Sequence, residues 1–212
     1  GPDGGYGLLV AGGVEDLDGE VLAKAVTVSF GTVSGTTVPA SLGEIAFVSP
    51  GADGVRHIFV LDMVDSTLSQ ITSDPAADDA PTWSPDRTQI AFQRVGDSSS
   101  SGIWVMGADG SGSVRRSTLV GKPSWSPDGS QLVVMTGNAM WLVSASGSAS
   151  DLKILDSIPG LLMYYSPAWS PDGATIAFGG SLDMGGGDSM DHVYLMNADG
   201  TGVRQLTTGT GA

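Results

Sequence analysis

The tetrapeptide Trp-Ser-Pro-Asp occurs three times, at Trp83–Asp86, Trp125–Asp128 and Trp169–Asp172, at intervals of 42 and 44 residues. An aliphatic strand signal follows, Gln89-Ile90-Ala91-Phe92 after the first copy and Thr175-Ile176-Ala177-Phe178 after the third. A fixed period in the low forties with strand signals throughout marks propeller blades, because one such unit cannot bury its own faces and must stack on its neighbours. The chain is therefore predicted to be an all-β protein, a β-propeller. What it does follows less directly, since propellers carry many unrelated activities.

Each copy divides into four strand signals. The first ends at the tryptophan, as in Pro81-Thr82-Trp83, Pro123-Ser124-Trp125 and Pro167-Ala168-Trp169. Ser-Pro-Asp-Gly then suits a type I turn, proline presetting φ and aspartate bonding locally. The last turn position holds Gly129 and Gly173 but Arg87 in the earliest copy, a departure expected to strain that turn slightly. Second strands follow at Ile90–Arg94, Leu132–Thr136 and Ile176–Gly179, and third strands at Ile103–Met106, Met140–Val143 and Val193–Met196. Short polar fourth strands, near Val114–Thr118, Leu152–Leu155 and Val203–Thr207, suit an outer edge. A degenerate copy precedes these: Glu44–Phe47, Ile58–Leu61 and Leu68–Thr72 match strands two to four, with its turn at Pro39–Leu42 and no tryptophan. Four four-stranded blades are thus expected over about 36–72, 81–118, 123–155 and 167–207, within a propeller segment 36–212. Relative to the third blade, Gly180–Asp191 reads as an inserted loop.

Residues 1–35 fit no blade, yet Tyr6–Ala11 and Glu20–Phe30 look like strands. In the longer run Leu22, Val26, Val28 and Phe30 share one face with Lys24, as on a strand packed against a core. This N-terminal β segment is expected to be either an atypical fifth blade or a strand donated to the open edge of a neighbouring molecule.

Composition narrows the partners. The formal charge of −14, from 23 acids against 9 bases, repels nucleic acid and anionic membranes, which reward clustered Lys and Arg. No run approaches the roughly eighteen apolar residues of a membrane-inserted span. The acidity reads first as a source of solubility. There is no cysteine, which is neutral for a propeller of this size. The Gly1-Pro2 start fits either removal of a signal peptide or a protease scar.

The ordered series Trp169-Ser-Pro-Asp-Gly173, Ile176-Ala177-Phe178, Tyr194-Leu-Met-Asn-Ala-Asp-Gly200 and Gln205-Leu206-Thr207 resembles the TolB-type β-propeller repeat, a relative of WD-type repeats found in exported bacterial proteins. The resemblance covers roughly four-fifths of the chain. It implies an exported protein, extracellular or periplasmic.

Candidate chemistry is sparse. No Gly-x-Ser-x-Gly elbow is present, and with two histidines and no cysteine few nucleophile–base pairs can form. His57 and His192 occupy the same repeat position; they read as packing residues, and two ligands alone make a poor metal site. Asp183, Asp188 and Asp191 flank Gly185-Gly186-Gly187 and are the candidate metal ligands, for calcium, which takes several hard oxygens from a flexible loop. Their spacing is not that of an EF-hand, and the plainer expectation is a solvated loop; no other cofactor is implied. Asp74, Asp78 and Asp79 are expected to serve turns and strand entry. Trp83, Trp125 and Trp169 read as packing between blades, and Met106, Met135, Met140 and Met196 as fill. The expectation is a non-catalytic exported propeller acting through a protein partner or through self-association. The alternatives are a structural subunit of an extracellular filament that polymerises by N-terminal strand exchange, and a propeller fragment of a larger hydrolase.

Overall fold

The computed structural model describes residues 43–208 together with the strands Tyr6–Val10 and Val26–Phe30. These two strands, β1 (Tyr6–Val10) and β2 (Val26–Phe30), pair antiparallel, with Tyr6 opposite Phe30 and Val10 opposite Val26. They form a two-stranded sheet in a unit of their own, Gly1–Leu42. The first half of the longer predicted strand, from Glu20, lies outside the described residues.

From Gly43 onward the chain folds into four antiparallel sheets, each a meander in chain order. Blade 1 contains β3 (Glu44–Pro50), β4 (Arg56–Asp62) and β5 (Leu68–Gln70). Blade 2 contains β6 (Ala77–Trp83), β7 (Gln89–Val95), β8 (Gly102–Gly107) and β9 (Val114–Ser117). Blade 3 contains β10 (Lys122–Trp125), β11 (Gln131–Thr136), β12 (Ala139–Ser144) and β13 (Leu152–Leu155). Blade 4 contains β14 (Leu161–Trp169), β15 (Thr175–Gly185), β16 (Asp188–Asn197) and β17 (Arg204–Gln205). Blade 1 shows three strands among the described residues; its expected turn at Pro39–Leu42 falls outside them. The prediction of an all-β propeller holds.

The repeated Ser-Pro-Asp segment makes the same turn three times. The amide of Arg87 donates to the Ser84 carbonyl, Gly129 to Ser126 and Gly173 to Ser170, each at 2.9 Å. Inside each turn the serine hydroxyl donates to the aspartate at 2.6 Å, in Ser84–Asp86, Ser126–Asp128 and Ser170–Asp172. That hydroxyl also accepts from the first amide of the next strand, Gln89, Gln131 or Thr175, at 2.9 to 3.0 Å. The aspartate in turn accepts from the amide two residues on. One serine and one aspartate therefore fix the register between first and second strands. Arg87 adopts φ 60°, close to the 71° of Gly129 and Gly173. Its left-handed backbone costs about 1 kcal/mol, which the guanidinium stacked 5.9 Å over the Trp83 ring offsets in part.

Successive sheets pack face to face. Ile58 and Val60 of blade 1 meet Ile90, Phe92 and Met106 of blade 2. Ala91, Ile103 and Val105 on the other face of blade 2 meet Trp125, Leu132, Val134 and Val143 of blade 3. Val133, Met135 and Met140 then meet Ile176, Phe178, Tyr194 and Met196 of blade 4. Alternation along each strand feeds both faces, so an interior blade is apolar on both sides. The tryptophans pack between blades as expected: Trp125 is buried, and its indole N–H donates to the Thr82 carbonyl of blade 2 at 3.0 Å. Trp83 and Trp169 pack half-buried at their own interfaces. The four methionines are all buried.

Blade 4 departs from the expectation in two ways. Gly180–Asp191 is not a loop. It continues the β15–β16 ladder as far as Gly185 opposite Asp188. Gly186 and Gly187, at φ 70° and 96°, supply the two positive values of a type I′ hairpin turn. In addition β14 starts at Leu161, six residues before the predicted Pro167, because the apolar run Leu161-Leu162-Met163-Tyr164-Tyr165 pairs with the lengthened β15.

Truncating Trp125 to alanine is expected to cost roughly 3–5 kcal/mol in denaturant unfolding; a loss near zero would place the indole outside the core. A second expectation concerns acid. Asp86, Asp128 and Asp172 are held below the ordinary carboxylate pKa, chiefly by their serine hydroxyls. Asp97 is lowered to about 2, first by the hydroxyls of Ser99 and Ser100. Groups with depressed folded pKa stabilise above the unfolded value and lose that contribution as pH falls through the folded one. The melting temperature should thus hold down to about pH 4 and drop below it. An unchanged melting temperature down to about pH 2.5 would contradict this reading of the turns.

Candidate functional site

Among the four blades the stacking leaves two sheet faces without a neighbouring blade: the far face of blade 4 and the near face of blade 1. On blade 4, Ala177, Val193 and Leu195 occupy the positions that Ala91, Ile103 and Val105 hold on blade 2. Ile103 is 0% exposed beneath blade 3, whereas Val193 is 39% exposed. Exposed Met163, Tyr165 and Leu206 add to the apolar character of blade 4. A hollow of about 380 Å³ is lined by Tyr165, Ala177, Gly179, Asp191 and Val193 among others.

The floor of this hollow is locally built. Tyr165 lies across β14–β15 from Gly179, and its ring occupies the space where a Cβ on residue 179 would project, 2.1 Å away. The Asp191 carboxylate accepts from the Ser181 hydroxyl on the paired strand. Burial, and then the facing Asp191 carboxylate, raise the pKa of the Tyr165 hydroxyl. The Tyr165 phenol is therefore neutral at neutral pH.

On blade 1, Ile45, Phe47, Phe59 and Leu61 form the near face. Ile45 is 40% exposed, but its equivalents Ile90, Leu132 and Ile176 are 0% exposed under the preceding blade. Phe47 and Phe59 stack on each other with centroids 5.9 Å apart.

The sequence-predicted site residues are placed as follows. Asp183 accepts from the Gly185 amide at 2.8 Å, Asp191 faces Ser181, and Asp188 sits at the hairpin end opposite Gly185. The three are not gathered, and among the described residues no three His, Cys, Asp or Glu side chains form a metal-holding group. The geometry therefore lends the calcium expectation no support. His57 Nε2 lies 3.0 Å from Asp53 Oδ2, and His192 Nδ1 lies 3.5 Å from the Thr207 hydroxyl. Each histidine is buried within its own blade, as a packing residue would be.

Asp78 and Asp79 are not turn residues; both lie in β6. Asp78 is 0% exposed and takes a bidentate pair from Arg94, Nε to Oδ1 at 2.6 Å and Nη2 to Oδ2 at 2.9 Å. Asp74 adds a contact to Nη2 at 2.7 Å, and the guanidinium lies 4.7 Å from the Trp104 ring centroid. The available signal was Arg94 sharing a strand face with Ile90 and Phe92, since a buried arginine needs a carboxylate nearby. Asp79 pairs instead with Arg56 of blade 1 at 3.2 Å, across the interface.

No protein-family model matches the chain. It is 32% identical over 139 residues to the uncharacterized peptidase YuxL of Bacillus subtilis, covering 59% of this chain and 20% of that relative. Among solved structures it resembles TolB from Acinetobacter baumannii, with 21% identity and a TM-score of 0.62 over 77% of this chain and 40% of the other. A putative TolB from Agrobacterium tumefaciens gives 26% identity and a TM-score of 0.62 over 77% of this chain and 61% of the other. The chain thus spans a fifth to three-fifths of the length of these proteins. It is a β-propeller, and its blades are TolB-like repeats.

Replacing Arg94 with methionine is expected to destabilise the protein by about 3–5 kcal/mol, because Asp78 is left charged and buried alone. Adding Asp78→Leu should restore most of that loss in the same unfolding assay. A double variant as unstable as the sum of the two singles would contradict this assignment.

Proposed function

We propose that the chain is a non-catalytic β-propeller module of an exported protein, and that it works by binding protein. The observation that carries this reading is the far face of blade 4, where an apolar hollow stands open at positions that other blades bury. A contiguous apolar face of this kind marks an interaction site on a soluble protein. The reactive side chains support the same reading, because the turn serines and aspartates and His57 are bonded into the blades. The TolB-like character of the repeats favours a place outside the cytoplasm, extracellular or periplasmic.

One finding favours a second reading. The likeness to YuxL, which covers a fifth of that relative, fits a propeller that belongs to a larger hydrolase. The propeller would then bind substrate or guard access while another domain supplies the nucleophile.

Cross-linking of native material from the exported fraction, followed by mass spectrometry, separates these readings. The interaction reading expects cross-links to a second polypeptide that disappear in Val193→Glu while circular dichroism and melting are unchanged. A much heavier native product with peptidase or esterase turnover would favour the hydrolase reading. Turnover by this chain itself, abolished by changing one Ser or His, would overturn the non-catalytic assignment.

A further inference from the structure

The two open faces correspond in register to the two sides of each internal junction. At each internal junction, second- and third-strand residues on the far face of one blade pack against second- and third-strand residues on the near face of the next. Between blades 2 and 3 these are Ala91, Ile103 and Val105 against Leu132, Val134 and Val143. The equivalents that no other of the four blades covers are Ala177, Val193 and Leu195 on blade 4, and Ile45, Phe47 and Leu61 on blade 1. The third-strand position on the far face is 0% exposed at Ile58, Ile103 and Met140, and 39% at Val193. The second-strand position on the near face is 0% exposed at Ile90, Leu132 and Ile176, and 40% at Ile45.

We propose that the far face of blade 4 binds the near face of blade 1 of a second copy of this chain. This rests on the reading of the module as a protein binder and names its partner. The hollow over Ala177 and Gly179 receives Ile45 and Phe47 of the second copy, as the surface at Ala91 receives Leu132 and Val134 within the chain. The occupant is a second copy because both complementary surfaces belong to one sequence and share one register. The contact residues named on both faces are uncharged, so they add no direct repulsion between copies of a chain of net charge −14. The contact is head-to-tail, so its repetition either closes a ring of whole copies or continues as a filament. It stacks sheets face to face and exchanges no strand.

Sedimentation velocity of the purified 212-residue chain over a concentration series tests this. The wild-type chain is expected to associate. Ile45→Glu and Val193→Glu each place a charge in the contact and should weaken association by at least about tenfold, with circular dichroism and melting unchanged. Each variant keeps one intact face, and the two intact faces are complementary. An equimolar mixture of the two variants should therefore form dimers and nothing larger. A wild-type chain that stays monomeric overturns the proposal, as do variants that associate as the wild type does, which strand exchange would produce. A folded monomer that binds a different protein through the Val193 face overturns this inference and leaves the interaction reading standing. A folded monomer whose native form also shows no cross-linked partner overturns both.

Discussion

Packing of one sheet face on the next is the interaction on which the rest of this structure depends. A four-stranded meander of this length has an apolar side at both faces and cannot bury either alone. Blade 2 is stable because Ile58 and Val60 cover one side and Trp125, Leu132 and Val134 cover the other. Stability is then approximately a sum of blade terms and nearest-neighbour terms, as in other repeat proteins. The same logic makes the outer faces of blades 1 and 4 special, because each is an interior type of surface that no other of the four blades covers.

Turn chemistry sets the geometry that lets the faces meet. Twenty of the 23 acidic residues are aspartate, and in the turns this follows from reach. A short carboxylate can accept from the amide two residues on, as Asp53, Asp65, Asp86, Asp109, Asp128, Asp172 and Asp199 do. Much of the acidity is therefore architectural. The Ser–Asp pair of each Ser-Pro-Asp turn goes further: by capping the first amide of the second strand it prevents a one-residue slip, which would turn every side chain to the wrong face. Because the tryptophan immediately precedes this turn, fixing the turn also aims the indole at the preceding blade.

The repeat was legible because turn and plug recur in sequence with little variation: Trp83, Trp125 and Trp169, each followed by Ser-Pro-Asp. Strand existence followed from apolar runs such as Ile103–Met106. Strand length did not, since the extension of β15 and β16 depends on the pairing of Ser181 with Asp191 and Leu182 with Met190, in which neither strand alternates cleanly. Gly186-Gly187 was a usable hairpin signal, masked by a third glycine and by carboxylates that suggested a loop. The Arg94–Asp78 pair was hidden because its members stand sixteen positions apart, joined only when β6 folds onto β7. The candidate site was least legible of all. Val193 and Ile103 are alike in sequence and differ only in what covers them, a property of the assembled sheets.

Amide hydrogen exchange on the monomeric chain tests this account most directly, because it reads the stability of each blade separately. If neighbour packing carries the structure, amides of β7, β8, β11 and β12 should exchange only through global unfolding. Those of β3, β4, β15 and β16 should exchange faster, through opening of the end blades. Equal protection across all four blades would contradict the account, showing that each blade is stable without its neighbours.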